Sequence, residues 1–186
     1  SVPIPDYSDI DFSLYQQPEI PIVLSRGCNY SCIYCGVKLY WKKASDFRKR
    51  SPESLMEEVK YLDDSGYIEH GEFNFLSFKG AYVNTDVVKK SELESGKSIL
   101  EEFCDQIVDY YKDASHGVPF QWGGWARVDK NLTPEVCKKM FDAGCHHLTF
   151  GFESGSPRIN KEMKKGYKFR EYDNEYAANV FKNCMD

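Results

Sequence analysis

The chain has no apolar run near the roughly 20 residues that a membrane-spanning helix requires. Its start, Ser1-Val2-Pro3-Ile4-Pro5-Asp6, lacks the charged and apolar regions of a secretory leader. It has no excess of basic residues: 24 Lys and Arg stand against 29 Asp and Glu, a net charge of −5. That balance excludes the basic footprint of a nucleic-acid binder. No internal repeat or low-complexity tract is present. The seven cysteines are an odd count, which does not suit a small secreted scaffold stapled by disulfides. These absences lead to the expectation of a cytoplasmic protein with reduced thiols and with neither a membrane nor a nucleic acid as partner. The first residue is not Met, as in an excised or processed chain.

What is there suits a folded domain. In 186 residues, 41% are hydrophobic and 15% aromatic, enough for one sizeable core. Residues 1–19, rich in Pro, Asp and Tyr without periodicity, read as a linker or extended arm, and 20–186 as the domain. Strand-like and helix-like segments then alternate. Pro21 to Ser25 is a short apolar run expected to be a buried strand. Ser51 caps a helix with Pro52 in its first turn and Leu55, Val59 and Leu62 at helical spacing, and Gly66 ends it. Glu72 to Phe78 is the second strand expected. Ile99, Phe103, Ile107 and Tyr110 mark the second helix. Pro119 to Arg127 is the third strand, and Thr133 with Pro134 opens the third helix, closed by Gly144. Cys145 to Phe152 is the fourth strand and Asp173 to Asp186 the fourth helix. Four β/α units argue for a parallel sheet, because parallel strands need helical crossovers. The pattern leaves barrel and open sheet undivided, and four units are too few to close a barrel.

The most informative stretch is Arg26-Gly27-Cys28-Asn29-Tyr30-Ser31-Cys32-Ile33-Tyr34-Cys35-Gly36, directly after the first expected strand. Ligands bind at that end of strands in α/β folds. Thiolates spaced C-x3-C-x2-C can surround one metal centre. Zinc wants four closed ligands, and candidates for a fourth are remote: His70, His146, His147 or a scattered cysteine. His146 and His147 alternate across a strand and read as structural. A [4Fe–4S] cluster ordinarily takes four thiolates, so three cysteines leave one iron open for chemistry. Cys104, Cys137, Cys145 and Cys184 read as ordinary, partly buried thiols. The clusters Lys42-Lys43 and Arg48-Lys49-Arg50 read as solvated faces.

C-x3-C-x-aromatic-C after a first strand resembles the signature of the radical S-adenosylmethionine (SAM) superfamily. The resemblance implies a partial (β/α)6 barrel with about four parallel β/α units present, C-terminally truncated. It implies a [4Fe–4S] cluster on Cys28, Cys32 and Cys35, with SAM chelating the open iron. Reductive cleavage of SAM would then give a 5′-deoxyadenosyl radical, fed by an electron donor. Tyr34 matches the aromatic that packs near adenine, and Gly36 a position that lets the loop pass the cluster. The blocks Trp125-Ala126-Arg127-Val128-Asp129, Leu132-Thr133-Pro134-Glu135 and Leu148 to Ser156 resemble the methylthiotransferase-like and cobalamin-associated groups of that superfamily. The matched stretches span roughly residues 1–166.

Strand alternation puts Thr149, Gly151 and Glu153 on a small, polar face that suits a ligand-bearing interior. Glu153, with Ser154 beside it, is a candidate for the SAM ribose or amino group. Arg127 is a candidate for the SAM carboxylate or for an ion pair with Glu153. Ser77, where many family members carry a Gly-Gly-Glu-type motif, is a weaker match: the segment reads Phe75-Leu76-Ser77-Phe78-Lys79-Gly80. Lys164-Lys165-Gly166-Tyr167 loosely resembles a family position near the SAM carboxylate. The arm from Pro3 to Tyr15 resembles the linker from a cobalamin-binding domain, which implies cobalamin in a longer parent enzyme. The competing expectation is a non-catalytic zinc or iron–sulfur module. The family's later strands are expected beyond Asp186, so the isolated chain need not be active. Its uncovered sheet edge is expected to self-associate. The substrate is not legible.

Overall fold

Side-chain caps start three of the helices. Ser51, Ser98 and Thr133 each stand in extended backbone, and each hydroxyl accepts from the N–H three residues on. A cap of this kind is worth about 1 kcal/mol. The computed structural model describes residues 3–15, 19–28, 30, 32–37, 47–68, 74–83, 93–165 and 174–185. Lys42, Lys43, His70, Gly166 and Tyr167 lie outside these, as does the Ser77 side chain.

The helices are α1 (Pro52–Asp64), α2 (Ile99–Tyr110), α3 (Pro134–Asp142), α4 (Pro157–Glu162) and α5 (Asn174–Asn183). In α1 the spacing buries Leu55, Met56, Val59 and Leu62. Glu58 is also buried there and pairs with Arg50, so its charge is compensated. In α2 a full capping box joins Ser98 and Glu101, and Leu100, Phe103 and Ile107 face inward. Helix α4 is not among the elements expected from sequence. It is six residues long, too short to show an apolar period.

The strands are β1 (Glu19–Pro21), β2 (Ser25–Arg26), β3 (Arg48–Lys49), β4 (Asn74–Val83), β5 (Phe120–Ala126) and β6 (Cys145–Phe150). Four of them make one sheet in the order β1-β4-β5-β6, every neighbour parallel. Leu76 pairs with Ile20 on one side and Trp122 on the other, and Gly124 pairs with Leu148. Among the described residues the sheet is open, not a closed barrel. The first strand differs from expectation. Ile22 and Leu24 are buried as their apolar character requires, yet β1 ends at Pro21. The chain then pairs antiparallel with β3 (Ser25 with Lys49, Arg26 with Arg48), and Arg50 N–H donates to the Leu24 carbonyl at 3.0 Å. The fourth strand also stops early, at Phe150 rather than Phe152.

The core is continuous from the helices to the sheet, with Trp122, Phe103 and Phe120 fully buried. Trp122 Nε1 donates to the Ala143 carbonyl at 2.9 Å, which satisfies the one polar atom of that side chain. The N-terminal arm packs against this core. Tyr7 is buried, with its ring 5.8 Å from Tyr67 and 6.2 Å from Phe12.

Candidate functional site

The cysteine loop leaves β2 through Gly27, whose φ of 88° is open to glycine at little cost. It is fastened from a distance: Ile33 N–H donates to the Met163 carbonyl at 3.0 Å, just past α4. Cys35 N–H donates to the Cys32 carbonyl at 3.3 Å and closes a turn. Cys32 is buried, Cys28 and Cys35 half-buried. All three line one cavity of about 130 Å³ at the C-terminal ends of β5 and β6.

Two buried cations stand in the walls of that cavity. Arg127, the residue after β5, is 7% exposed. Its guanidinium lies 3.5 Å from the centre of the Tyr30 ring, and Nη1 reaches toward Cys32 Sγ at 3.9 Å. Lys165 is 4% exposed. Its Nζ donates to Glu153 Oε1 at 2.6 Å and to Tyr34 Oη at 3.0 Å. Burial of an unpaired ammonium is costly, and these two bonds offset that cost.

Glu153 is held by its backbone as well as by its partner. Its φ is 65°, a left-handed value that non-glycine residues seldom adopt. The hydrogen bond from Lys165 keeps its carboxyl below the usual carboxylate range, against the opposing effect of burial. Gly151 makes room for the pair. A Cβ there would stand 3.1 Å from Glu153 Oε1 and 3.3 Å from Lys165 Nζ. Burial pushes the Tyr34 hydroxyl well up, reinforced by Cys32 and Glu153 nearby. Burial also pushes the Cys28 thiol up, although Tyr30 N–H and Arg127 pull the other way.

The residues singled out from sequence divide into two groups. Cys28, Cys32, Cys35, Tyr34, Arg127 and Glu153 meet at the cavity. Gly36 and Ser154 are not among its lining residues, and the Ser77 side chain lies outside the described ones. Gly36 is exposed, and a Cβ there would meet nothing within 4 Å. Ser154 serves the turn before α4: its carbonyl accepts from Asn160 Nδ2 at 2.7 Å and its hydroxyl from Ser156 N–H at 3.1 Å. Of the two partners weighed for Arg127, Glu153 instead takes its ion pair from Lys165. Tyr30 and Trp125 also line the cavity and were not singled out. Trp125 stands next to the end of β5, and an aromatic at a strand end carries no signal of its own.

The donor set fits an iron–sulfur cluster. It is all sulfur, the usual ligand class, and the two buried cations offset the negative charge that thiolates bring. Among the described residues, no three of His, Cys, Asp and Glu are grouped as around a single metal ion. A cluster offers its irons at separate corners and takes more widely spaced thiolates.

No protein-family model matches the chain. It is 27% identical over 168 residues to an uncharacterized methyltransferase of Pyrococcus horikoshii, covering 89% of the chain and 31% of that protein. It is 28% identical over 158 residues to the tRNA-2-methylthio-N(6)-dimethylallyladenosine synthase of Phocaeicola vulgatus, covering 84% of the chain and 31% of that enzyme. Among solved structures, its fold is similar to that of OxsB, a cobalamin-dependent S-adenosylmethionine radical enzyme solved with aqua-cobalamin and S-adenosylmethionine bound. The TM-score is 0.60 at 18% identity, over 88% of this chain and 22% of that one. The chain thus spans under a third of the length of these proteins.

Proposed function

We propose, for a chain that belongs to the radical SAM superfamily, that Cys28, Cys32 and Cys35 hold a [4Fe–4S] cluster in a SAM-cleaving domain. The observation that carries this reading is the convergence of the three thiols with buried Arg127 and Lys165 on one cavity. The four-stranded parallel sheet is then the front part of a six-unit barrel.

When bound, such a cluster supplies the electron that cleaves the SAM sulfonium and yields a 5′-deoxyadenosyl radical. The chain's own residues bind and orient. Arg127 lends positive charge beside Cys32, its guanidinium placed over the Tyr30 ring. It is the group to receive the SAM carboxylate. Glu153, kept ionised by Lys165, accepts hydrogen bonds from the SAM ribose or amino group. Tyr34 offers its ring to the adenine while Lys165 fixes its hydroxyl. Ser77, Gly36 and Ser154 contribute through backbone in this reading. An electron donor and a small-molecule substrate complete the reaction. The likeness to OxsB and the resemblance of the arm to a domain linker support cobalamin as a second cofactor of a longer protein, in methyl transfer or related chemistry.

The test is anaerobic reconstitution followed by iron and sulfide analysis and EPR of the reduced protein. About four irons per chain are expected, lost in a Cys28→Ala/Cys32→Ala/Cys35→Ala variant. Zinc at unit stoichiometry with no iron overturns the proposal in favour of a structural module. Release of 5′-deoxyadenosine by the longer protein separates an enzyme from a non-catalytic cluster-binding domain.

A further inference from the structure

Four cysteines lie away from the cavity, and they are not alike. Cys104 is fully buried, and burial raises its thiol well above the ordinary range. Cys145 is buried too, pushed up to about 12 by the same cause. Such thiols are inert. Cys137, in α3, and Cys184, just after α5, are half-buried instead, and their sulfurs are 3.2 Å apart. Both line an open cavity of about 480 Å³ with Met140, Phe141, Phe181 and Met185.

The helices are fixed so that this pairing persists. Phe181 of α5 packs on Phe150 at 5.0 Å and on Phe152 at 6.0 Å. Asn183 Nδ2, next to Cys184, donates to the Leu132 carbonyl at 2.9 Å, two residues ahead of α3. The sulfurs need to approach by only about an ångström to reach the ~2 Å of an S–S bond. We propose that Cys137 and Cys184 form a redox-active pair that closes reversibly to a disulfide by exchange with a small organic disulfide such as oxidised glutathione.

The roles within the pair are unequal. The hydrogen bond between the sulfurs raises the Cys137 thiol and lowers that of Cys184, while burial raises both. Cys184 also stands past the last turn of α5, beside the 84% exposed Met185, whereas Cys137 lies within α3. Cys184 is the sulfur that an exchange partner reaches first, and so the attacking thiolate. Its sulfur bonds to one sulfur of the glutathione disulfide, whose S–S bond breaks. The first glutathione leaves as a thiolate and takes up the proton that Cys184 released. Cys137 then loses its proton and attacks the Cys184 sulfur, which expels the second glutathione as its thiol. Two protein thiols are oxidised by two electrons and one glutathione disulfide is reduced to two thiols.

The experiment uses the whole chain, reduced anaerobically and then held in oxidised or reduced glutathione. It is quenched with acid, alkylated and mapped by mass spectrometry. Oxidised glutathione is expected to give a Cys137–Cys184 cross-link, reopened by reduced glutathione. Cys137→Ser is expected to accumulate glutathione on Cys184. In Cys184→Ser, glutathione reaches Cys137 slower by on the order of tenfold. Near-UV circular dichroism checks that each variant is folded. The proposal fails if both thiols stay alkylatable in the folded, oxidised protein. It fails equally if either bonds to Cys28, Cys32 or Cys35 instead of its partner, or if Cys137→Ser carries no adduct at Cys184. None of these readouts depends on the cluster.

Discussion

Gly144 is held where no other residue fits. Its φ is 93°, and a Cβ there would stand 2.6 Å from the Phe120 carbonyl oxygen and 3.3 Å from Val118 Cγ1. The obstructing atom is backbone, pinned because Trp122 N–H donates to the Gly144 carbonyl at 2.9 Å. Gly144→Ala is expected to cost about 2 kcal/mol or more, read as a fall in melting temperature. Gly36 is the control at the same scale. Open space surrounds it, so Gly36→Ala is expected to leave melting unchanged. Iron content in that variant then reports whether the position matters to a cluster and not to the fold. A melting loss at Gly36 as large as at Gly144 would refute this contrast. The two glycines look alike in the sequence. Gly144 was legible as a helix terminus, because it follows an apolar helical face. The burial of Lys165 was not legible: its segment offered only a loose family resemblance near the SAM carboxylate. A lysine in a Lys-Lys pair gives no sign that it will lie under a tyrosine and a glutamate distant in the chain.

At the scale of elements, one carboxylate ties two helices. Asp105 of α2 accepts from Lys97 at 2.8 Å, ahead of the same helix, and also pairs with Lys139 of α3. Burial works to raise its pKa, but the hydrogen bonds from Lys139 and Lys97 outweigh that and hold it below the usual range. A depressed carboxylate contributes stability above its unfolded pKa of about 3.9, lost as pH falls through the lower folded value. Asp105→Asn is therefore expected to flatten the acid limb of the stability curve below about pH 4 and to lower stability at pH 7. Urea titrations across pH check it, and parallel curves for the two proteins would refute it. The helix starts at Ser51 and Thr133 were legible because cap and first-turn proline are adjacent in sequence. Strand ends were less so. Apolar runs report burial, and Ile22 and Leu24 are buried as expected. They do not report hydrogen-bond partners, and here the backbone after Pro21 turns to β3. In β6 the pairing register shifts between Trp122 and Gly123 of its neighbour, which a strict two-residue alternation does not foresee.

At the scale of the molecule, and among the described residues, β6 is one edge of the sheet: it pairs with β5 alone, as β1 at the other edge pairs with β4. Phe141 and Met185, 61% and 84% exposed, stand beside the cavity it borders. Edges with apolar flanks recruit partners. Self-association through this edge is accordingly expected, seen as a sedimentation coefficient that rises with concentration, and a monomer at all concentrations would count against it. The parallel order was legible from the alternation of units. That four units would not close a barrel was legible from their count, but the choice between a barrel-like and an open arrangement was not, because it depends on how the strands tilt, which the period of any one segment does not carry.

The fastening of the cysteine loop has a consequence for synthesis. The three thiols leave the ribosome well before the groups that fix their loop. Tyr34 and Lys165 are 131 residues apart, and Ile33 waits as long for Met163. At ~5–20 residues per second that is a delay on the order of ten seconds. During it, Cys28, Cys32 and Cys35 are carried on a nascent chain whose site has no far wall, so metal loading waits for Met163 and Lys165 to emerge and depends on whatever keeps those thiols reduced until then.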